Sequence, residues 1–196
     1  MLNFKYNILY LIVAKRVDNL KESIESCLSQ ENVNPFIFIA CNSLESFREA
    51  KLLCKKPIIY EPTLVVSKNM IIVMSNDEKS IMHQAIKFGV SNSCKYYCMC
   101  FIPAKLNNSF SKKSVEKIKD DVIGCYSNVI DSGSKLYTNI TSLNLINFGP
   151  VVFIKKEIAT AFNHENVGDF LRFCVINGCF YHFDDFLVET QWIKFI

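Results

Sequence analysis

Tyr6-Asn-Ile-Leu-Tyr-Leu-Ile-Val13 decides the fold. It is a near-continuous apolar run of strand length, the pattern of a strand buried on both faces of a parallel sheet. The stretch Ile8 to Ala14 is far shorter than the ~20 residues needed to span a bilayer. It sits between Lys5 and Lys15-Arg16, and no small-residue cleavage site follows it. A buried strand is therefore expected, and neither a membrane span nor a leader peptide. Outward from it, Asn19-x-x-Glu22 has the form of a capping box, and Leu20, Ile24, Cys27 and Leu28 recur at helical spacing. A helix over 19–29 is predicted. Pro35 to Cys41 is a second apolar strand, after which Asn42-x-x-Glu45 opens a second helix with Leu44, Phe47 and Cys54 on its inner side.

The alternation continues along the chain. Pro57 to Tyr60 and Met70 to Met74 have strand character. Ser75 or Asn76 caps a helix running through Ile81, Ala85 and Phe88, with Gly89 as its left-handed terminator. Tyr96 to Ile102 is a buried strand stopped at Pro103, and a helix near 112–120 leads to the strand Val122 to Ile130. Asp131-Ser132-Gly133-Ser134 is a turn before an extended Lys135 to Thr138. Pro150 to Ile154 is a strand entering a helix at Lys156 to Phe162; Asp169 to Ile176 is helical and ends at Asn177-Gly178. Residues 179–190 are extended, with aromatic side chains inward. The expected class is α/β, a doubly wound and mostly parallel sheet flanked by helices, with a short antiparallel C-terminal part. Such sheets take ligands beyond the carboxyl ends of the strands, where strand order reverses. That singles out Ala14 to Arg16, Cys41 to Ser43 and Pro103 to Leu106.

Composition narrows the function classes. With 196 residues, 50% hydrophobic and 21% charged, the chain suits one globular domain with a large core. Its excess of Lys, Asn, Ile, Phe and Tyr matches codon drift in an AT-rich genome, such as a phage or a low-GC bacterium. A net charge of +3 without a clustered basic face gives no strong nucleic-acid signal. Lys112, Lys113, Lys117 and Lys119 run directly into Asp120-Asp121, the pattern of a solvated helix face. The nine cysteines are odd in number and mostly inside apolar runs, which suits reduced, buried thiols of a cytoplasmic protein. Cys94-x-x-x-Cys98-x-Cys100 lacks a second pair at zinc spacing. His83, His164 and His182 could each be paired with a cysteine as a thiol dyad, but nothing in the local sequence favours any pairing, and Asp184-Asp185 on an extended segment point to opposite faces. Neither phosphate-cradling glycine loop is present, which argues against a dinucleotide enzyme or an NTPase.

The order of segments resembles family-two glycosyltransferases of the GT-A fold. The resemblance is carried by Leu11-Ile-Val-Ala-Lys-Arg16 and Ser26-Cys-Leu-Ser-Gln30, then by Phe36 to Ser43. Asn76 to Gly89 with Tyr96 to Ile102 and Tyr126-Ser127-Asn128 continue it. Gly149-Pro-Val-Val-Phe-Ile-Lys-Lys-Glu157 and Gly168-Asp-Phe-Leu-Arg172 complete it. It spans nearly the whole chain and rests on order and spacing, with no motif intact. It implies a single domain over 1–196, with a nucleotide-binding-like half at 1–106 and an acceptor-side half at 107–196.

In that family a hydroxyl attacks the anomeric carbon of a nucleotide-activated sugar, and Asp-x-Asp holds Mn²⁺ or Mg²⁺ against the departing diphosphate. Here the corresponding position holds Pro103-Ala104-Lys105, so no standard metal site is expected. The acidic position after the second strand holds Cys41 or Asn42. The resemblance places Asp169 as acceptor-side base with Glu165 as substitute, and Arg16, Asn42, Lys105 and Arg172 on the donor. It leaves two classes open. One is a glycosyltransferase in which Lys105 supplies the charge a metal would have given. The other is an inactive GT-A-like binding or assembly module, for example a virion component. A protein partner or a second copy would complete an acceptor side that has little chain after Asp169.

Overall fold

In the computed structural model the residues described are 6–15, 17–119, 121–131, 151–161, 169, 173, 176 and 178–190. The opening apolar run is β1 (Tyr6–Ala14), followed by α1 (Leu20–Leu28), β2 (Val33–Cys41) and α2 (Leu44–Leu53). A hairpin of β3 (Ile59–Glu61) and β4 (Leu64–Val66) leads to β5 (Met70–Met74), α3 (Glu78–Ser91) and β6 (Tyr96–Cys100). Then come β7 (Lys105–Leu106), α4 (Phe110–Lys117) and β8 (Val122–Asp131). The last described elements are β9 (Val151–Lys155), α5 (Lys156–Ala161) and β10 (Cys179–Thr190). Asp169, Phe173 and Ile176 have helical conformation. The predicted turn at 131–134 and the extended 135–138 fall, apart from Asp131, outside the described residues.

The strands join in the order β3-β4-β5-β2-β1-β6-β9-β8-β10-β7. β5, β2, β1 and β6 are mutually parallel, β9 is antiparallel to both its neighbours, and β10 is parallel to β8 and antiparallel to β7. Successive side chains of a strand point to opposite faces. Ile8, Tyr10 and Ile12 accordingly pack with Leu20 and Ile24 of α1, Phe47 of α2 and Phe110 of α4. Leu9, Leu11 and Val13 pack on the other face with Ile81, Met82 and Ala85 of α3 and Ala159 of α5. This two-sided burial is why β1 has no polar alternation, and it gives the doubly wound α/β sheet expected from the sequence. No helix among the described residues is long and apolar enough to cross a membrane.

Local chemistry differs from expectation at four places. Asn19 has φ 58° and makes no side-chain cap bond, so α1 starts without a capping box. The capping residue of α2 is Ser43 rather than Asn42; its Oγ accepts from the Ser46 N–H at 3.1 Å while Ser46 Oγ reaches back, and Leu44 is 50% exposed instead of inward. Asp77, not Ser75 or Asn76, caps α3 by accepting the N–H groups of Lys79 and Ser80. Gly89 lies inside α3, where a Cβ would sit 2.7 Å from the Tyr97 ring; the left-handed residue comes later, at Ser93 (φ 54°). Of the cysteines, Cys27, Cys41, Cys94, Cys98, Cys100 and Cys125 are buried, Cys54 is half-buried and Cys179 exposed, all as free thiols.

Candidate functional site

From β1 the chain moves outward through β2 to β5, with α1 and α2 on one face. It then crosses by α3 on the opposite face and returns to β6 beside β1. Strand order thus reverses between β1 and β6, and the crevice of such sheets opens beyond their carboxyl ends. The residues there are Ala14-Lys15 after β1, Asn42 after β2, and Phe101 to Pro103 after β6. The Asn42 N–H donates to the Ala14 carbonyl at 3.2 Å, and the Ser75 N–H to the Cys41 carbonyl at 3.0 Å, so the strand ends hold one another in register. Lys15 Nζ lies 3.6 Å from a Glu78 carboxylate oxygen at the start of α3. Both side chains are substantially exposed, and such pairs contribute about 0–1 kcal/mol.

Two polar groups stand at this end, and one of them carries chemistry. The Asn42 Oδ1 is buried and has no hydrogen-bond partner among the described residues. A buried carbonyl oxygen without a donor costs about 1–3 kcal/mol, so it is the natural acceptor for an incoming N–H. Cys41 beside it is not a nucleophile. Burial pushes its thiol up to about 12, only partly countered by a hydrogen bond from Ser46.

Lys105 lies in the two-residue strand β7, paired antiparallel with Glu189 of β10, its Nζ 3.5 Å from the Glu189 carboxylate. Chain order keeps it close behind the end of β6, while strand order puts β7 at the sheet's other edge from β3. Asp169 is half-buried. Arg16, Glu165 and Arg172 lie outside the described residues, so they are not placed relative to Asn42.

The Pro103-Ala104 segment has a structural task. Ser23 Oγ of α1 accepts the Ala104 N–H at 3.2 Å, Ser26 Oγ accepts the Leu106 N–H at 3.0 Å, and Thr190 donates to the Pro103 carbonyl at 3.1 Å. Gln30 donates to the carbonyls of Ser26 and Asn107 and accepts the Ser111 N–H at 3.0 Å. The Ser111 hydroxyl in turn meets the Tyr10 hydroxyl at 2.7 Å. Ser26 and Gln30 are thus a clamp that binds the chain beyond β6 to α1. A divalent cation does not fit here: Pro103 and Ala104 offer no side-chain oxygen, Ala104 is fully buried, and Lys105 is cationic. No group of three or more His, Cys, Asp or Glu placed to hold a metal exists among the described residues.

A third cluster went unseen in the sequence. His182 Nε2 lies 2.9 Å from Asn128 Oδ1, its Nδ1 3.6 Å from Asp184, and Tyr126 stacks on its ring at 4.8 Å. Asp185 pairs instead with Lys113 at 2.7 Å. His182 pairs in register with Tyr126; the shift between Phe183 and Phe186 follows it, where Asn128 donates to the Asp184 carbonyl at 2.7 Å, and no sequence pattern announces it.

No protein-family model and no curated protein sequence matches the chain. Among solved structures it is similar to a 4-diphosphocytidyl-2C-methyl-D-erythritol synthase from Anaerococcus prevotii, with a TM-score of 0.54. The likeness covers 92% of this chain and 87% of that one at 10% identity. It shows the fold. The architecture is GT-A-like, and the expectation of a doubly wound, mostly parallel GT-A-like sheet holds.

Proposed function

We propose that the chain is a glycosyltransferase-like protein that takes a nucleotide-activated sugar in the crevice beyond β1, β2 and β6 and passes the sugar to an acceptor hydroxyl without a standard metal site. The observation that carries this reading is the buried, unpartnered Asn42 Oδ1 one strand from the point where strand order reverses. An amide oxygen there accepts a base N–H, the task that the resemblance gives to an acid after the second strand. Lys105 is the donor-side cation. Its bond to Glu189 is between half-exposed groups, weak enough to exchange for a diphosphate. Asp169, with Glu165 in reserve, takes the acceptor proton, and Arg16 and Arg172 steady the donor. GT-A-like architecture of itself carries no activity.

The clamped Pro103-Ala104 segment favours a second reading. Where the family uses a metal, this chain has a buried alanine and backbone groups satisfied by Ser23 and Thr190. That is what a domain looks like when it has kept the fold as a binding or assembly module. Titration with UDP, UDP-glucose and UDP-N-acetylglucosamine, with and without Mn²⁺, separates the two. Metal-independent binding that falls at least tenfold in Asn42→Leu and in Lys105→Ala supports the transferase. Absence of heat with all three donors favours the module.

A further inference from the structure

The two edges of the sheet end in different ways. At one, β7 is two residues long, with Leu106 buried and Lys105 paired with Glu189. At the other stands β3, whose three residues are all exposed, and no strand lies beyond it among the described residues. Its neighbour β4 fixes which backbone groups β3 presents there. The Thr63 carbonyl accepts the Met74 N–H at 2.9 Å, and the Val66 carbonyl accepts the Ile58 N–H at 2.7 Å. Backbone groups of successive residues alternate between the two sides of a strand, so Leu64 and Val66 face β3 while Val65 faces β5. Tyr60 is paired with Val65, and its own N–H and carbonyl therefore point outward, to the open edge. The side chains around it are apolar, where an edge guarded against pairing would carry charge. Leu52 is 79% exposed, Ile58 70%, Tyr60 53% and Ile59 47%. The Lys51 ammonium lies 4.4 Å over the Tyr60 ring, which joins the end of α2 to the hairpin.

We infer that a second copy of this chain adds to this edge, its β3 antiparallel to the first, so that two sheets become one across a two-fold axis. Charge selects this occupant and this direction. The apolar Pro57-Ile-Ile-Tyr60 stands between Lys55-Lys56 on one side and Glu61 on the other. Antiparallel pairing carries the lysines of each copy toward Glu61 of its mate, whereas parallel pairing would set lysine beside lysine. Backbone hydrogen bonds of added strands supply affinity and the flanking side chains supply specificity. Pro57 and Pro62 cannot donate to a ladder, which confines the pairing to the short span between them. Identical edges paired in this way close after two copies and leave nothing for a third. The exposed apolar side chains reach the few hundred Å² that mark interaction sites, and doubling them gives an interface of the small, reversible class, below ~1,200 Å². The edge lies at the far end of the sheet from β8 and β10, so the second copy leaves the acceptor side open, and the inference rests on no part of the donor reading.

The test is sedimentation equilibrium of the whole chain between ~1 µM and ~1 mM, the range in which small interfaces associate. The wild type should pass reversibly from one chain to two as concentration rises. Ile59→Lys, at an exposed position, should weaken that association at least tenfold with an unchanged thermal midpoint. Glu61→Lys should weaken it too, and the double variant Lys55→Glu/Glu61→Lys should restore it. Hydrogen exchange reads the backbone directly: the Tyr60 amide should exchange more slowly at high protein concentration than at low. A single chain's mass throughout the range overturns the inference and leaves the edge to some other occupant. So does a dimer indifferent to Ile59→Lys, which would be built on another surface, or assembly that continues past two copies. Failure of the charge exchange to restore association would overturn the antiparallel direction. A dimer in which Tyr60 exchange does not change would overturn the strand pairing.

Discussion

The β1–β2 ladder runs without a break from Tyr6–Val33 to Ala14–Cys41, while the β8–β10 ladder shifts register three times. The first is buried on both faces and excludes polar side chains from its middle. The second is irregular, and beside its shift after Phe183 Asn128 meets the His182 ring and donates to the Asp184 carbonyl. Regularity here goes with core and irregularity with chemistry, since a shifted ladder re-aims side chains that an even one would bury.

Alkaline pH gives the largest expected effect and tests both regions together. Cys41 and Cys94 beside the regular strands and Cys125 in β8 are all raised from the usual thiol value to about 12, chiefly by burial. In the unfolded chain they ionise from about pH 9, so the fold keeps its full stability below that and loses several kcal/mol as pH rises toward 12. Urea midpoints measured between pH 8 and 11 should show this fall, and Cys41→Ala, Cys94→Ala and Cys125→Ala should each flatten it. A fall untouched by Cys125→Ala would mean that the irregular ladder is open to water. Next in size, Phe38→Ala in β2 should cost about 4–5 kcal/mol and Phe183→Ala in β10 nearer 3, because a shifted ladder collapses more readily on a cavity. Equal values from urea unfolding would break the comparison.

Gln30→Ala should cost about 1–3 kcal/mol by stranding the Asn107 carbonyl and the Ser111 N–H, read as a drop in urea midpoint with an unchanged slope. Smallest of all, Lys113→Ala should change stability by less than about 1 kcal/mol, since its bond to Asp185 is solvent-exposed, and added salt should erase even that.

The regular half was legible in the sequence because burial on both faces writes itself as an unbroken apolar run. What escaped was set by partners far along the chain. Gly89 has the look of a helix terminator, but Tyr97 decides its place by needing the space. The strands of the β3–β4 hairpin are three residues each, too short to show a period, so only the first was visible, at Pro57 to Tyr60. Ser43 was masked as a cap because its partner at the third position is Ser46 rather than a glutamate. At the site, Asn42 followed from its place after a strand. The Lys105–Glu189 proximity joins residues that no local reading connects.

The clamp from α1 has a consequence for the order of events in folding. Its bonds span 77 to 81 residues of chain, from Gln30 to Asn107 and to Ser111, and from Ser23 and Ser26 to Ala104 and Leu106. Closing a loop of that length is entropically unfavourable and is repaid only after β1, α1 and β2 have a surface to receive the returning strand. The clamp should therefore set late. Gln30→Ala would then accelerate unfolding while leaving the refolding rate nearly unchanged, and the amides of Ala104 and Leu106 would exchange with solvent before those of β1 do.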